Sequence, residues 1–200
     1  MLSQNHNFIF IHIPKCGGTS IEHAFNVDLN RLDIKGLTGR HHNKKLLQHL
    51  KFSEIENQTE IDISNYFKFT FVRNPWGRAV SSFLYERRFA KRPDGIQNDF
   101  EDFLNNPRYI NPQHASCQFD YITNIHGVPS LDFIGKFENL QQDFDKICNK
   151  IGVPQKQLPH ACKSNFKNKP YVDFYNSTTK KIVAEKYAKD IEYFGYKFGP

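Results

Sequence analysis

The sequence lacks any apolar run long enough to cross a membrane. The apolar stretch that begins at Phe8 ends before Pro14, whereas a membrane-spanning helix needs about 20 consecutive apolar residues. Residues 1–7 are mostly polar and do not form the charged start and apolar centre of a secretory leader. We therefore expect a soluble, cytoplasmic protein that has neither a signal peptide nor a transmembrane anchor.

Cysteine is scarce, and charge of one sign is never concentrated in a block. The four cysteines, Cys16, Cys117, Cys148 and Cys162, have no C-x-x-C spacing, which argues against a metal site and gives little support for disulfides. The formal net charge is +6, but no run of five like charges, zinc-finger spacing or helix-turn-helix pattern occurs. This balance favours a nucleotide and an acidic or sulfated glycan as partners, and no nucleic acid.

The apolar residues that are present predict an α/β fold. A chain of 200 residues that is 38% hydrophobic is sufficient for one globular domain, which we expect to cover residues 1–200. Runs rich in β-branched and aromatic residues predict strands at 8–13, 67–72 and 131–137, each followed by a helical pattern. This alternation predicts a central parallel β-sheet flanked by helices, with ligands at the carboxyl ends of the strands.

Several helix ends are marked by single residues. Asn74 before Pro75 is typical of a helix start. Asn139 and Gln142 predict a capping box, and Gly152 predicts the end of the same helix. A last helix is predicted to begin near Ser177.

The segment after the first strand, residues 14–20 with the sequence PKCGGTS, predicts an anion-binding turn; we name it the Lys15 loop. Two glycines remove side chains from the turn, and Thr19 and Ser20 open a helix. Unpaired backbone N–H groups and the positive end of a helix dipole would then face one point, where a phosphate or sulfate can bind. Lys15 adds a full positive charge there.

A second anion-binding pattern follows the strand at 67–72. Arg73 stands at the end of that strand, and Ser81 lies eight residues later in the run RNPWGRAVS. An arginine fork can bind a phosphate through two hydrogen bonds, and a serine hydroxyl adds one donor.

Three classes of function are compatible with these two patterns. One is a group-transfer enzyme that uses a doubly phosphorylated donor, and another is a nucleotide kinase or NTPase. In the nucleoside-triphosphate loop, however, the lysine follows the glycines, whereas Lys15 precedes Gly17 and Gly18, and no Mg²⁺ signature accompanies it. The third class is a non-catalytic module that binds anionic glycans, which the basic balance allows.

Both patterns resemble motifs of the sulfotransferases that use 3′-phosphoadenosine 5′-phosphosulfate (PAPS). PKCGGTS after a buried strand looks like their 5′-phosphosulfate loop, and RNPWGRAVS resembles their 3′-phosphate motif. Pro112-Gln113 matches a pair found in the carbohydrate branch, the family 2-like sulfotransferases, and the C-terminal YAKDIEYFGYKF resembles the tail of the family. The resemblance spans nearly the whole chain and implies the sulfotransferase fold, which is similar to that of P-loop nucleotide hydrolases.

The resemblance also implies roles for individual residues. The 3′-phosphate would be held by Arg73 and Ser81. The chain near residues 158–173 would pass over the adenosine, which makes candidate nucleotide contacts of Lys163, Ser164, Lys167 and Tyr171, with a solvated loop as the alternative. Lys15 would stabilise the leaving group, and no metal would be required. The residues expected to bind the 5′-phosphosulfate are Lys15, Cys16, Gly17, Gly18, Thr19 and Ser20.

The acceptor implied by the resemblance is a hydroxyl of a carbohydrate or glycan, and its proton needs a base. A histidine between the two phosphate motifs serves this purpose in related enzymes. His41 and His42 lie there, and we prefer His42.

Other polar residues of the sequence are expected to have ordinary roles. His12 is predicted to be a core residue, and His49 a helix surface residue. Arg78 could reach the same phosphate as Arg73, but we prefer a solvated helix position for it. His114 is predicted to lie at the surface near a helix start.

Overall fold

The computed structural model describes residues 1–26, 47–59, 62–89, 100–106, 111–159 and 169–199. In these ranges the chain forms a sheet with the order β1-β2-β3-β4, made of Leu2–Ser3, Phe8–Ile11, Phe67–Val72 and Phe133–Lys136. Strands β2, β3 and β4 are parallel, with Phe10 opposite Phe69 and Phe71 opposite Gly135. Strand β1 runs antiparallel to β2, so the sheet is mixed.

The predicted α/β fold is confirmed, as are the three predicted strands, although two of them are shorter than expected. All four residues of β2 are buried, which suits a strand covered on both faces. The antiparallel strand β1 was not predicted, because two residues are too few to form a pattern. Strand β2 ends at Ile11 and β4 covers only 133–136, so His12 lies just beyond the end of a strand.

Helices connect and follow the strands. They are α1 (Gly18–Ala24), α2 (Phe52–Gln58), α3 (Pro75–Phe89), α4 (Phe100–Asn105), α5 (Pro112–Ala115), α6 (Phe119–Ile122), α7 (Leu140–Ile151), α8 (Ser177–Lys186) and α9 (Ala188–Phe194). Short 3₁₀ helices cover Leu47–His49, Phe137–Asn139 and Tyr171–Phe174. Within the described ranges, no helix combines the length and the apolar character required to span a bilayer.

The chain divides into two compact units. The first comprises Met1–Val72 and Gln118–Cys162 and contains the sheet. In its core, the ring of Phe69 stacks on that of Phe10 with centroids 5.2 Å apart and lies tilted against that of Phe8 at 5.5 Å. Phe144 and Cys148 of α7 are also fully buried, and the burial of Cys148 was predicted. Burial raises the pKa of the Cys148 thiol.

The second unit comprises Arg73–Cys117 and Lys163–Pro200 and has a helical core. The buried residues of this core are Trp76, Ala79, Val80, Phe83, Phe100, Phe103, Leu104, Val183 and Tyr187. Helix α8 begins at Ser177, as predicted. Asn176 caps this helix, because its Oδ1 accepts a hydrogen bond from Thr179 N at 2.8 Å.

The predicted end of α7 is confirmed, but its predicted capping box is wrong. Gly152 follows the helix with a φ of 72°, the left-handed conformation that glycine adopts at helix ends. Asn139 precedes the helix but makes no side-chain cap hydrogen bond. The reason is that Phe137–Asn139 already forms a 3₁₀ turn, so the chain does not enter α7 from the extended conformation that an N-cap needs.

Candidate functional site

The Lys15 loop is a tight turn between β2 and α1. Lys15 and Gly17 have φ values of 69° and 86°, and the left-handed region is uncommon for a residue with a side chain such as lysine. Ser20 N donates to Gly17 O at 3.0 Å. The first N–H groups of a helix, here those of Gly18 and Thr19, have no carbonyl partner within the helix. The turn therefore brings a half-buried lysine and several backbone donors into one short segment.

Side chains of the first unit hold this turn from within. The Cys16 thiol is buried and contacts Gln118 Oε1 at 3.2 Å and the Pro14 carbonyl oxygen at 3.6 Å. A Cβ on Gly17 would lie only 3.0 Å from a methyl carbon of Leu140. The Cys16 N–H donates to the Ile13 carbonyl oxygen at 3.4 Å, so both donors of Cys16 already have partners within the first unit.

A buried polar cluster lies beside the turn. His12 Nδ1 is 2.9 Å from Glu22 Oε1, and His49 Nδ1 is 3.1 Å from the His12 carbonyl oxygen. The side chains of His12, Glu22 and His49 are 4%, 0% and 7% exposed. The prediction that His12 is a core residue is confirmed.

The prediction that His49 is a surface residue is wrong, because the 3₁₀ helix Leu47–His49 packs it against the end of β2. Sequence reasoning also missed Glu22. Glu22 lies four residues after Gly18 and three residues before Phe25, which places it on the buried side of α1. This helical spacing could have identified it from the sequence.

The segment after β3 forms the start of α3. Asn74 Oδ1 accepts a hydrogen bond from Trp76 N at 3.1 Å, so the predicted helix start at Asn74-Pro75 is confirmed. Arg73 Nε and Tyr171 Cδ1 lie 3.5 Å and 3.4 Å from the position that a Cβ would take on Gly77. The structure thus brings Tyr171 to the same side of α3 as Arg73. Ser81 is half-buried on the same helix.

Arg78 of the same helix is not solvated, contrary to the prediction. It is 2% exposed, and its guanidinium donates to the carbonyl oxygens of Ser116 at 2.9 Å and His114 at 3.1 Å. His114 is likewise buried, at 7% exposure, and its Nδ1 lies 3.2 Å from Glu86 Oε1. The predictions for Arg78 and His114 are both wrong because α5 packs against α3. Separate segments of the sequence do not reveal such packing.

The two strands that precede the motifs are neighbours. Strands β2 and β3 pair in parallel with Ile11 opposite Thr70, so their carboxyl ends lie at the same edge of the sheet. The chain continues from one end into the Lys15 loop and from the other into Arg73.

Comparison with known proteins agrees with this arrangement. The model of the sulfotransferase family matches residues 1–197. The chain belongs to the sulfotransferase family.

Relatives of the chain include named sulfotransferases of carbohydrates. Carbohydrate sulfotransferase 14 of Danio rerio is 25% identical over 98% of this chain, and carbohydrate sulfotransferase 9 of Homo sapiens is 26% identical over 95%. An uncharacterized protein of Archaeoglobus fulgidus is 38% identical over 45% of the chain and 71% of its own length. The chain spans only 61% and 47% of the lengths of the zebrafish and human proteins.

Within this member of the sulfotransferase family, the predicted binding residues fall on both units. Those of the Lys15 loop belong to the first unit, whereas Arg73 and Ser81 belong to the second. His41 and His42 lie outside the described residues, so the identity of the base stays a prediction. The same holds for the candidate nucleotide contacts Lys163, Ser164 and Lys167.

Proposed function

We propose that this protein transfers a sulfuryl group from PAPS to a hydroxyl of a carbohydrate or glycan. The observation that carries the proposal is the position of the two phosphate-binding motifs of the family. Each directly follows one of two neighbouring parallel strands, and these strands end at one edge of the sheet. Ligands of open α/β sheets bind at that edge. The family match and the named carbohydrate sulfotransferases support the same reaction.

The 5′ end of the donor would bind to the Lys15 loop. Its backbone N–H groups suit the oxygens of a phosphosulfate, because the first N–H groups of α1 have no carbonyl partner within the helix. The left-handed conformation of Lys15 is a constraint of the kind that concentrates at ligand-binding turns.

The 3′-phosphate would bind to Arg73, which can donate two parallel hydrogen bonds, and to the hydroxyl of Ser81. The ring of Tyr171 on the same side of α3 offers an apolar surface to the nucleotide. This assignment leaves Arg78 out, because its guanidinium already binds two carbonyl oxygens.

PAPS supplies the sulfuryl group, and the residues of the chain supply charge, orientation and a base. The sulfur–oxygen bond to the 5′-phosphate breaks as a bond to the acceptor oxygen forms, and 3′-phosphoadenosine 5′-phosphate (PAP) leaves. The ammonium group of Lys15 stabilises the negative charge that grows on the leaving phosphate oxygen. The histidine base, His42 or His41, takes the proton of the acceptor hydroxyl.

Binding of PAP to the purified protein, measured by calorimetry, tests the proposal. We expect saturable binding without added metal, and we expect Arg73→Ala to weaken it about tenfold or more, because charge-assisted hydrogen bonds are lost. Arg88→Ala is the matched control, since Arg88 is exposed near the end of the same helix. An unmodified protein that shows no saturable binding of PAP would refute the proposal.

Two further titrations separate the alternatives. Binding of ATP that depends on Mg²⁺ would indicate a kinase or NTPase instead. Binding of a heparin-like polymer with a steep salt dependence, without binding of PAP, would indicate a module that only recognises anionic glycans.

A further inference from the structure

The His12–Glu22 pair joins the two ends of the Lys15 loop. His12 follows the last residue of β2, and Glu22 lies in α1, so the Lys15 loop lies between the two residues. Their side chains approach to 2.9 Å between Nδ1 and Oε1. A contact between these positions limits how far the loop can open, because Glu22 lies in α1 and His12 directly follows β2.

The ring of His12 also determines where the start of α1 can lie. A Cβ on Gly18 would be 2.1 Å from His12 Cδ2 and 2.3 Å from Nε2, distances that no packed side chain adopts. The backbone of Gly18 therefore rests directly on the imidazole. His49 contacts the same ring edge to face, with centroids 4.5 Å apart, and its bond to the His12 carbonyl oxygen holds His12 from the other end.

Stability alone does not account for the pair. Both side chains are buried, and within the described ranges neither carboxylate oxygen of Glu22 has a hydrogen-bond donor. The two atoms are 2.9 Å apart, although the groups do not align as a regular hydrogen bond. Apolar side chains of similar volume often stabilise a core as well as a buried polar pair does, or better.

We propose that the His12–Glu22 pair is a positioning device that sets the geometry with which the Lys15 loop binds the 5′-phosphosulfate of the donor. This inference rests on the proposed function, because it assigns the 5′ end of the nucleotide to that loop. Neither residue touches the donor. The pair acts through Gly18, whose position against the imidazole fixes the direction of the neighbouring N–H groups.

The variant Glu22→Gln tests the proposal, because it keeps the size of the side chain and replaces its carboxyl group by a neutral amide. The probes are PAP, which has a 5′-phosphate, and adenosine 3′-monophosphate, which lacks one. We expect Glu22→Gln to weaken binding of PAP about tenfold or more, since misplacement of a binding group by a fraction of an ångström is costly. Binding of adenosine 3′-monophosphate, followed by ligand-observed NMR, should not change.

Two further variants complete the experiment. Glu192→Gln is the control, because it makes the same chemical change at an exposed position of α9 and should leave both affinities unchanged. If circular dichroism shows that Glu22→Gln does not fold, His12→Asn is tested in its place. This variant keeps a polar atom facing Glu22 but removes the ring atoms that contact Gly18, and it should give the same selective loss.

The outcomes distinguish this inference from the proposed function. If the unmodified protein does not bind PAP, the proposed function fails and the inference fails with it. If the unmodified protein binds PAP and the variants bind it equally well, only the inference fails. Equal weakening of both nucleotides would indicate a general structural role and would also overturn it.

Discussion

At the scale of single residues, the two glycines of the Lys15 loop serve different purposes. Gly17 has a left-handed backbone, at a φ of 86°, which a residue with a side chain seldom adopts. Gly18 is helical, and its requirement is one of space, because the imidazole of His12 occupies the position of a Cβ. One position is thus restricted by conformation and the next by packing.

The variant Gly18→Ala should therefore lower the free energy of unfolding by about 1–3 kcal/mol, the usual cost of overpacking a core. Unfolding by urea, followed by circular dichroism, measures this change. Gly77→Ala is the matched control: it also adds a methyl group in the first turn of a helix, but the nearest atom lies at 3.4 Å. Because alanine favours a helix over glycine by about 1 kcal/mol, Gly77→Ala should not destabilise the protein. Equal losses in the two variants would contradict the packing argument.

At the scale of elements, Arg78 connects two helices of the second unit. It lies in α3, three residues before Ser81, and its guanidinium holds the carbonyl oxygens at the end of α5. Helix α5 contains Pro112 and Gln113, the pair that resembles the carbohydrate branch of the family. The helix that carries the proposed 3′-phosphate residue therefore also fixes the position of that segment.

Replacement of Arg78 by methionine should destabilise the protein by about 2–4 kcal/mol, because two carbonyl oxygens lose their donor in a buried place. Urea unfolding of the variant checks this value. Arg88→Met on the same helix is the control, and since Arg88 is exposed we expect a change of less than about 0.5 kcal/mol. A similar, small effect of both changes would show that the guanidinium of Arg78 contributes no more than a surface charge.

At the scale of the whole molecule, the family match covers both compact units, and each unit carries one of the two proposed phosphate motifs. The formal net charge of +6 suits a donor that carries several negative charges and an acidic glycan. Because a ligand that binds only the folded state stabilises it, binding of the donor product should be visible in the stability of the entire chain.

We expect PAP at about 100 times its dissociation constant to raise the free energy of unfolding by about 2.7 kcal/mol. The same concentration should stabilise Lys15→Met much less, since the loop loses its full charge. Lys150→Met, at an exposed position at the end of α7, should respond like the unmodified protein. The measurement is thermal or urea unfolding with and without the nucleotide. An undiminished response of Lys15→Met would remove Lys15 from the binding site.

The sequence by itself determined the features that depend on neighbours along the chain. The strand at 67–72, the helix start at Asn74-Pro75, the glycine turn after β2 and the helix end at Gly152 were all predictable. Each is specified by local conformational preference and by the spacing of apolar residues, which a single segment contains. The two proposed phosphate motifs are local in the same sense, so most of the candidate site could be named before the fold was known.

Only the tertiary structure decided which polar side chains are buried and what they contact. The His12 side chain contacts Glu22, and its carbonyl oxygen is bonded to His49. The guanidinium of Arg78 donates to the backbone carbonyl oxygens of His114 and Ser116. Some of these partners are far apart along the chain. His49 is 37 residues from His12, and Arg78 is 36 residues from His114. The burial of a charged group depends on the elements that pack over it, and a local pattern contains no information about them.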